Sequence, residues 1–326
     1  MEITTLDIFL QQLVIGVTNG SIIALIALGY TMVYGIVELV NFAHGDLFML
    51  GCFFALTLLA VIGVDPVQLS STAPSLAALG TIGSLLIAVP LFCGALNWCI
   101  DRLAYKPLRN APRLAPLVSA IGVSFILVNI GLFWGDVPLP YFQDGSPAAP
   151  KDFPALFSGD NLLGVDAALY ITWGEVFVWV ITIPIMCALT FLVQKTTLGK
   201  SMRAVAQNPT AAQLMGINVE RVIGNTFILG GMLAGIAGVV YSLYNNTIYF
   251  QMGYRSGMDA FAAAVIGGIG NLPGAFLGGI LIGIIRALSD GYIATSWTNV
   301  VVFLLLIAVL IFRPSGILGA HFRDKV

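Results

Sequence analysis

A chain of 326 residues that is 58% hydrophobic and only 9% charged is no soluble globular domain. Soluble domains carry roughly 25% charged residues, and one of this size has no interior large enough to hide the remaining apolar surface, so lipid must cover part of it. The net charge of −2 excludes nothing by itself, but the placement of the charges along the chain sets an orientation.

Apolar segments run over 8–37, 45–64, 78–101, 115–134, 171–193, 222–244, 259–288 and 297–312. They are continuous rather than alternating, which argues against a β-barrel. A helix needs about 20 apolar residues to cross the hydrocarbon, so the pattern predicts an all-α, polytopic transmembrane helical bundle of about eight, and up to ten, membrane segments. The chain reads as a single transmembrane domain over 1–326. The first run is longer than one crossing needs. Glu2 and Asp7 accompany it with no basic stretch, which reads as a retained segment rather than a cleaved signal.

Glu38 and then Asn41-Phe42-Ala43-His44-Gly45-Asp46 interrupt the junction of the first and second runs. Ionisable groups near membrane depth are costly and suggest function. His44 and Asp46 either relay protons or contact a charged substrate, or they serve a turn in which Asp46 caps a helix start. One His and one Asp make no metal site, and none is expected. Cys52, Cys93, Cys99 and Cys187 all lie inside apolar runs without ligand spacing and read as buried packing residues.

Eleven of the 14 basic residues fall in three regions: Arg102, Lys106, Arg109 and Arg113; Lys195, Lys200, Arg203 and Arg221; and Arg313, Arg323 and Lys325. The excess of Lys and Arg places all three in the cytoplasm. The loop 135–171 and the start of the following run hold Asp136, Asp144, Asp152, Asp160, Asp166 and Glu175 against Lys151, and are placed outside. With these sides assigned, 259–288 must begin and end on the outer side. Two half-helices meeting at Gly270-Asn271-Leu272-Pro273-Gly274 would satisfy that. Arg286 and Asp290, four apart, read as a helix-face pair, and Asp259 as a cap.

Pro90-Leu91-Phe92-Cys93 and Pro184-Ile185-Met186-Cys187 each precede a basic cytoplasmic loop, a weak two-fold repeat. Glycines recur every fourth position at Gly16 and Gly20, Gly231 and Gly235, Gly270, Gly274 and Gly278, and Gly279 and Gly283. Such spacing lets helix backbones approach closely. A flexible or pore-lining role for 267–274 is the alternative.

The cytoplasmic loop 194–221 carries a polar, small-residue stretch from Ala204 to Ile217, a docking surface for a cytoplasmic partner. Leu198-Gly199-Lys200-Ser201 resembles the end of a phosphate-binding loop, but Gln194 stands where that loop needs glycine. No nucleophile elbow, zinc-protease helix or dinucleotide fingerprint is present, so the chain is not expected to be an enzyme.

Asn19-Gly20-Ser21-Ile22-Ile23-Ala24-Leu25-Ile26-Ala27-Leu28-Gly29-Tyr30-Thr31-Met32-Val33-Tyr34-Gly35, followed by Asn41-Phe42-Ala43-His44-Gly45, resembles the N-terminal signature of the branched-chain amino acid ABC importer permeases. Tyr105-Lys106-Pro107-Leu108-Arg109, Ala264-Val265-Ile266-Gly267-Gly268-Ile269-Gly270 with Pro273-Gly274-Ala275, and Arg313-Pro314-Ser315-Gly316-Ile317-Leu318-Gly319 are similar to that family too. The likeness covers nearly the whole chain.

The resemblance implies a bacterial inner-membrane permease. Its partners would be a second homologous permease subunit, two ATP-binding subunits, a soluble substrate-binding protein outside, and membrane lipid, with no nucleic acid. No cofactor would be bound by this chain; ATP and Mg would be used by the partner ATPase. Importer permeases carry a coupling helix with a Glu-Ala-Ala-x-x-x-Gly pattern. Here Ala211-Ala212-Gln213-Leu214-Met215-Gly216 matches, and Thr210 stands in place of Glu. The residues expected to couple to the ATPase are Arg203, Ala204, Ala211, Ala212 and Gly216. Those expected along the substrate pathway are Asn41, His44, Asp46, Gly267, Gly268, Gly270, Pro273 and Gly274. Competing readings are a urea or short-chain amide ABC permease, and a stand-alone ion-coupled carrier or channel.

Overall fold

The computed structural model describes residues 5–37, 41–63, 76–109, 111–112, 114–142, 146–164 and 167–319. Glu2, Glu38, Arg113, Asp144, Asp166, Arg323 and Lys325 lie outside the described residues. The helices are α1 (Thr5–Val37), α2 (Ala43–Ile62), α3 (Leu76–Ile100), α4 (Leu114–Trp134), α5 (Trp173–Lys195), α6 (Thr197–Gln207), α7 (Pro209–Leu214), α8 (Val219–Asn245), α9 (Met252–Gly267), α10 (Leu272–Tyr292) and α11 (Thr298–Phe312). A π-helical turn, Asp101–Tyr105, and a 3-10 turn, Lys106–Leu108, continue α3. Among the described residues seven helices are long and apolar enough to cross a membrane, and α11 is a shorter apolar one. The chain is a polytopic helical bundle, with two short strands, β1 (Lys151–Asp152) and β2 (Thr247–Ile248), paired antiparallel.

Two compact units divide the chain: Met1–Glu38, Thr182–Thr226 and Met258–Val326 form one, and Leu39–Ile181 with Phe227–Gly257 the other. In the first, α1 lies antiparallel against α10, backbone on backbone. A methyl group on Gly16 would sit 2.7 Å from Ile284 Cα, one on Gly20 2.8 Å from Ile280 Cα, and one on Gly279 2.6 Å from Ala24 Cα. Small residues at four-residue spacing on both helices make this approach possible, and dispersion between the touching backbones holds it. Between α9 and α10 the buried Arg286 guanidinium donates to Asp259 at 2.6 Å and reaches Asn299 of α11 at 3.3 Å.

That pairing corrects two expectations. Arg286 does not pair with Asp290, whose carboxylate instead accepts from the Thr298 hydroxyl. Asp259 caps nothing, because α9 begins at Met252 and leaves Asp259 in mid-helix. The break in the long apolar run is also earlier than expected. Helix α9 ends at Gly267, and Asn271 caps α10, its side chain accepting from Gly274 N at 3.1 Å. Pro273 therefore sits in the first turn of α10, where its missing N–H costs nothing. At 21 residues α10 is membrane-length rather than a half-helix.

The second unit is built on α2. Gly238 of α8 lies against the Phe48 carbonyl and Cys52, Gly51 against Gly235, and Gly231 against Cys93 of α3. Phe54 stacks on Phe92 at 4.3 Å, and Trp134 closes over both edge-on while donating to Thr57. Two interactions fix the described part of the loop between α4 and α5. Lys151 is buried at 2% exposure and donates to the carbonyls of Phe142 and Ser146, while β1 ties the loop to β2 just past α8. Cys52 and Cys93 are buried as expected, whereas Cys187 is exposed on α5. A lipid-facing stripe is as apolar as a core, so hydropathy cannot separate the two. Pro90 and Pro184 both lie within helices, yet Pro90 is buried and Pro184 exposed, so the two four-residue matches occupy different environments.

Gly283→Leu is expected to stop α1 and α10 from closing, because the first side-chain carbon would fall 2.3 Å from Gly16 O and Gly20 Cα. Gly80→Leu, into open space, is the control. Thermal melting of the detergent-solubilised protein should show a loss of at least 1–3 kcal/mol, roughly the cost of overpacking, for the first variant alone.

Candidate functional site

The two groups of expected pathway residues fall in different units. In the second unit, Asn41 is buried at the mouth of α2. Its Oδ1 accepts from Tyr105 Oη at 2.6 Å, and its Nδ2 lies 3.5 Å from Asn97 Oδ1, at the long limit of a hydrogen bond. Asn97 in turn donates to the Phe227 carbonyl at 2.6 Å. One network thus joins the start of α2, α3, the π-helical turn and α8. Within the π turn's surroundings Arg109 pairs with the buried Asp101 at 2.6 Å. Asn41 and Tyr105, from two separate sequence motifs, meet here.

His44 and Asp46 are both buried in the first turn of α2. Asp46 caps nothing: the N-cap position is Phe42, without a side-chain bond, and Asp46 Oδ2 accepts from Ser124 Oγ of α4. Asp46 Oδ1 is buried with no hydrogen-bond partner among the described residues. A buried carboxylate oxygen left unmatched is costly and marks a position where a ligand or proton can act.

In the first unit, the expected glycines pack. Gly267 and Gly274 face each other so closely that a methyl on either would meet the other's carbonyl oxygen, at 2.1 and 2.3 Å. Gly268 (φ +105°) and Gly270 (φ +89°) turn the chain in a conformation that suits glycine. The segment after α11 returns to this turn: Ile317 N donates to Ile266 O, Leu318 N to Gly267 O, and Asn271 Nδ2 to Leu318 O. These bonds supply partners for the last carbonyls of α9, which no intrahelical N–H reaches.

The segment between α5 and α8 forms two helices. Thr196 caps α6 by accepting from Gly199 N at 3.1 Å, and Gly199 permits the tight corner after α5, since a methyl there would lie 2.2 Å from Val193 O. That corner, rather than a phosphate, is the reason for glycine in the Leu198-Gly199-Lys200 stretch. Met202 and Val205 are buried while Lys200 and Arg203 are exposed, an amphipathic pattern. Arg203 reaches back to the Val193 carbonyl. Asn208 breaks the helix, its side chain accepting from Ala211 N at 3.0 Å to cap α7, with Pro209 in the first turn. Gly216 (φ +82°) ends α7. Ala204 is half-buried, Ala212 is buried, and Ala211 and Gly216 are exposed. The outermost side chains are Leu214, 84% exposed, and Met215, 83% exposed. Neither was expected; two large apolar residues beside a helix-ending glycine in a cytoplasmic loop were the available signal.

A cleft of about 70 Å³ lies between α6 and the end of α1, lined by Thr31, Gly35, Met202, Arg203, Ala206 and Gly270 among others. Helix α6 and the α9–α10 turn therefore share a surface. No group of three metal-ligating side chains is present among the described residues.

Asn208→Ala should remove the cap of α7, costing about 1 kcal/mol. Limited proteolysis of the intact protein should then cut faster between 208 and 216, with Asn208→Asp retaining the wild-type rate.

The family described as the branched-chain amino acid transport system / permease component matches residues 12–310. The high-affinity branched-chain amino acid transport system permease protein LivH of Salmonella typhimurium is 41% identical, over 98% of each chain. The corresponding protein BraD of Pseudomonas aeruginosa is 39% identical, over 98% of each. The probable branched-chain amino acid transport permease protein LivH of Methanocaldococcus jannaschii is 30% identical, over 93% of this chain and 90% of its own. No solved structure matches. With its membrane-length helices, this chain belongs to the family of branched-chain amino acid transport system permease components and is a multi-pass inner-membrane protein.

Proposed function

We propose that this chain is the membrane-spanning subunit of an ATP-binding-cassette importer for branched-chain amino acids. It works beside a second permease subunit, two ATP-binding subunits and a soluble binding protein. ATP and Mg belong to the ATP-binding subunits; this chain supplies the path and the mechanical coupling. The names of its relatives support the substrate class.

The observation that carries the coupling role is the tip of α7. Leu214 and Met215 stand almost fully out of the fold on a short helix fixed by Asn208 at one end and Gly216 at the other. Two such side chains in water are an anchor for a partner's apolar groove. Ala211, exposed and small, lets the partner's surface come close. Thr210 replaces the acidic residue of the related pattern, so this docking rests on apolar contact rather than on an ion pair at that position. Behind the tip, α6 lies against α1 and the α9–α10 turn at the cleft, and α1 is locked to α10. A displacement of α7 by the ATPase would therefore be passed to a rigid pair of helices instead of being absorbed in side chains.

Leu214→Glu with Met215→Glu should abolish ATP-driven uptake of leucine in proteoliposomes of the assembled transporter while membrane insertion persists. Co-purification of the ATP-binding subunit should fall in parallel. Undiminished uptake would defeat the coupling role.

A further inference from the structure

The loop between α4 and α5 ends in a turn that one side chain locks. Asn161 uses every hydrogen-bonding position of its amide there. Its Oδ1 accepts from Leu163 N at 3.2 Å and from Ile171 N at 3.0 Å, while its Nδ2 donates to Gly164 O at 3.0 Å and to Leu169 O at 2.8 Å. Leu162 N donates to Ile171 O at 2.8 Å, and the Tyr170 hydroxyl donates to the Gly159 carbonyl. Asn161 thus cross-links the two ends of the segment 161–171. Just beyond, Glu175 Oε2 accepts from Thr172 N at 2.8 Å and from the Thr172 hydroxyl, which fixes the turn to the start of α5.

The turn presents an apolar and acidic surface. Leu162 is 42% exposed, Leu163 54% and Tyr170 49%. Asp160, two residues before Leu162, is exposed as well, its carboxylate accepting from the Ser158 hydroxyl at 2.6 Å. Among the described residues of 135–172 the exposed charges are Asp136, Asp152 and Asp160, all acidic, and the one lysine is buried. A turn held by four bonds cannot fold its leucines back under the loop, so they stay out at the cost of their apolar exposure. Apolar side chains with charge beside them are the anatomy of a protein–protein contact, and a rigid support lowers the ordering cost of docking.

We infer that this turn is a docking surface for the soluble substrate-binding protein. Leu162, Leu163 and Tyr170 are its apolar anchors, and Asp160 meets a lysine or arginine of that partner. The inference rests on the importer reading and deepens it, since the charge pattern places this loop on the side away from the ATP-binding subunits. The partner's contacting face is accordingly apolar with a basic rim, because the loop has no exposed cation among the described residues to repel one. The same acidic charges oppose an anionic lipid surface. From Ile171 the chain continues through Thr172 into α5, and beyond the far end of α5 it turns at Thr196 into α6. A partner seated here therefore rests on one end of a membrane-length helix whose other end carries α6.

The test is ATP hydrolysis by the assembled transporter in proteoliposomes, titrated with its own leucine-loaded binding protein. Leu162→Ser with Leu163→Ser should raise the concentration giving half-maximal stimulation about tenfold or more, the effect of losing hot-spot anchors, and leave the maximum at saturation unchanged. Asp160→Lys should raise it about threefold and lessen its dependence on salt. An unchanged half-point in both variants, or a lowered maximum at an unchanged half-point, overturns the docking surface alone. Wild type that no concentration of binding protein stimulates overturns the importer reading and this inference with it. Leu163→Trp separates a protein contact from a lipid one. The binding protein should shield its added fluorescence from iodide; quenching by brominated phosphatidylcholine instead seats the turn in the bilayer and overturns the inference. If the double variant does not assemble, Asp160→Lys decides by the same criteria.

Discussion

The rest of the first unit hangs on the contact between α1 and α10, where glycine and alanine remove every side chain that would hold the backbones apart. Hydrocarbon offers no hydrophobic drive for one helix to leave lipid for another, so the gain must come from close atomic contact along a long seam. Such a seam has no intermediate setting: side chains could slide or change rotamer, but touching backbones can only stay together or separate. Whatever reaches α1 at its C-terminal end thus reaches α10, and through Arg286 and Asp259 it reaches α9. The ion pair adds specificity where the glycines cannot, since a rotation of α9 would strand two charges in a low-dielectric interior.

Much of the architecture was legible because hydropathy and glycine spacing record the two strongest constraints on a membrane helix, lipid contact and backbone approach. The apolar runs became helices with boundaries shifted by a few residues, and Gly16, Gly20, Gly279 and Gly283 meet across one seam. The break in the long run was legible from Gly270 to Gly274, but its position was not, because Asn271 and Pro273 act as the start signals of α10 and pull the turn toward Gly268. The pairing of Arg286 was not legible from spacing, since its partner lies 27 positions away on another helix.

Charge counting assigned three basic regions to one side and left three basic residues over: Lys151, Arg255 and Arg286. None of them reports topology. Lys151 is buried under the outer loop, Arg286 is locked in an ion pair, and Arg255 stands exposed on the first turn of α9. Lys151 and Arg286 are held where they are by other requirements, backbone carbonyls for the one and an ion pair for the other. The segment 203–217 was legible as a polar, small-residue stretch, but the exposure of Leu214 and Met215 was masked by the same hydrophobicity that elsewhere signals burial.

The return of residues 316–318 to the end of α9 has a consequence for biogenesis. A membrane protein is made from its N-terminus, and α9 is inserted well before the residues that satisfy its last carbonyls have left the ribosome. Until then those carbonyls must find their partners elsewhere or in water. The final shape of the turn between α9 and α10, and with it the surface that α6 shares with Gly270, is therefore set by residues made after α11. A chain cut short after α11 would insert all its helices and still lack a finished α9–α10 turn.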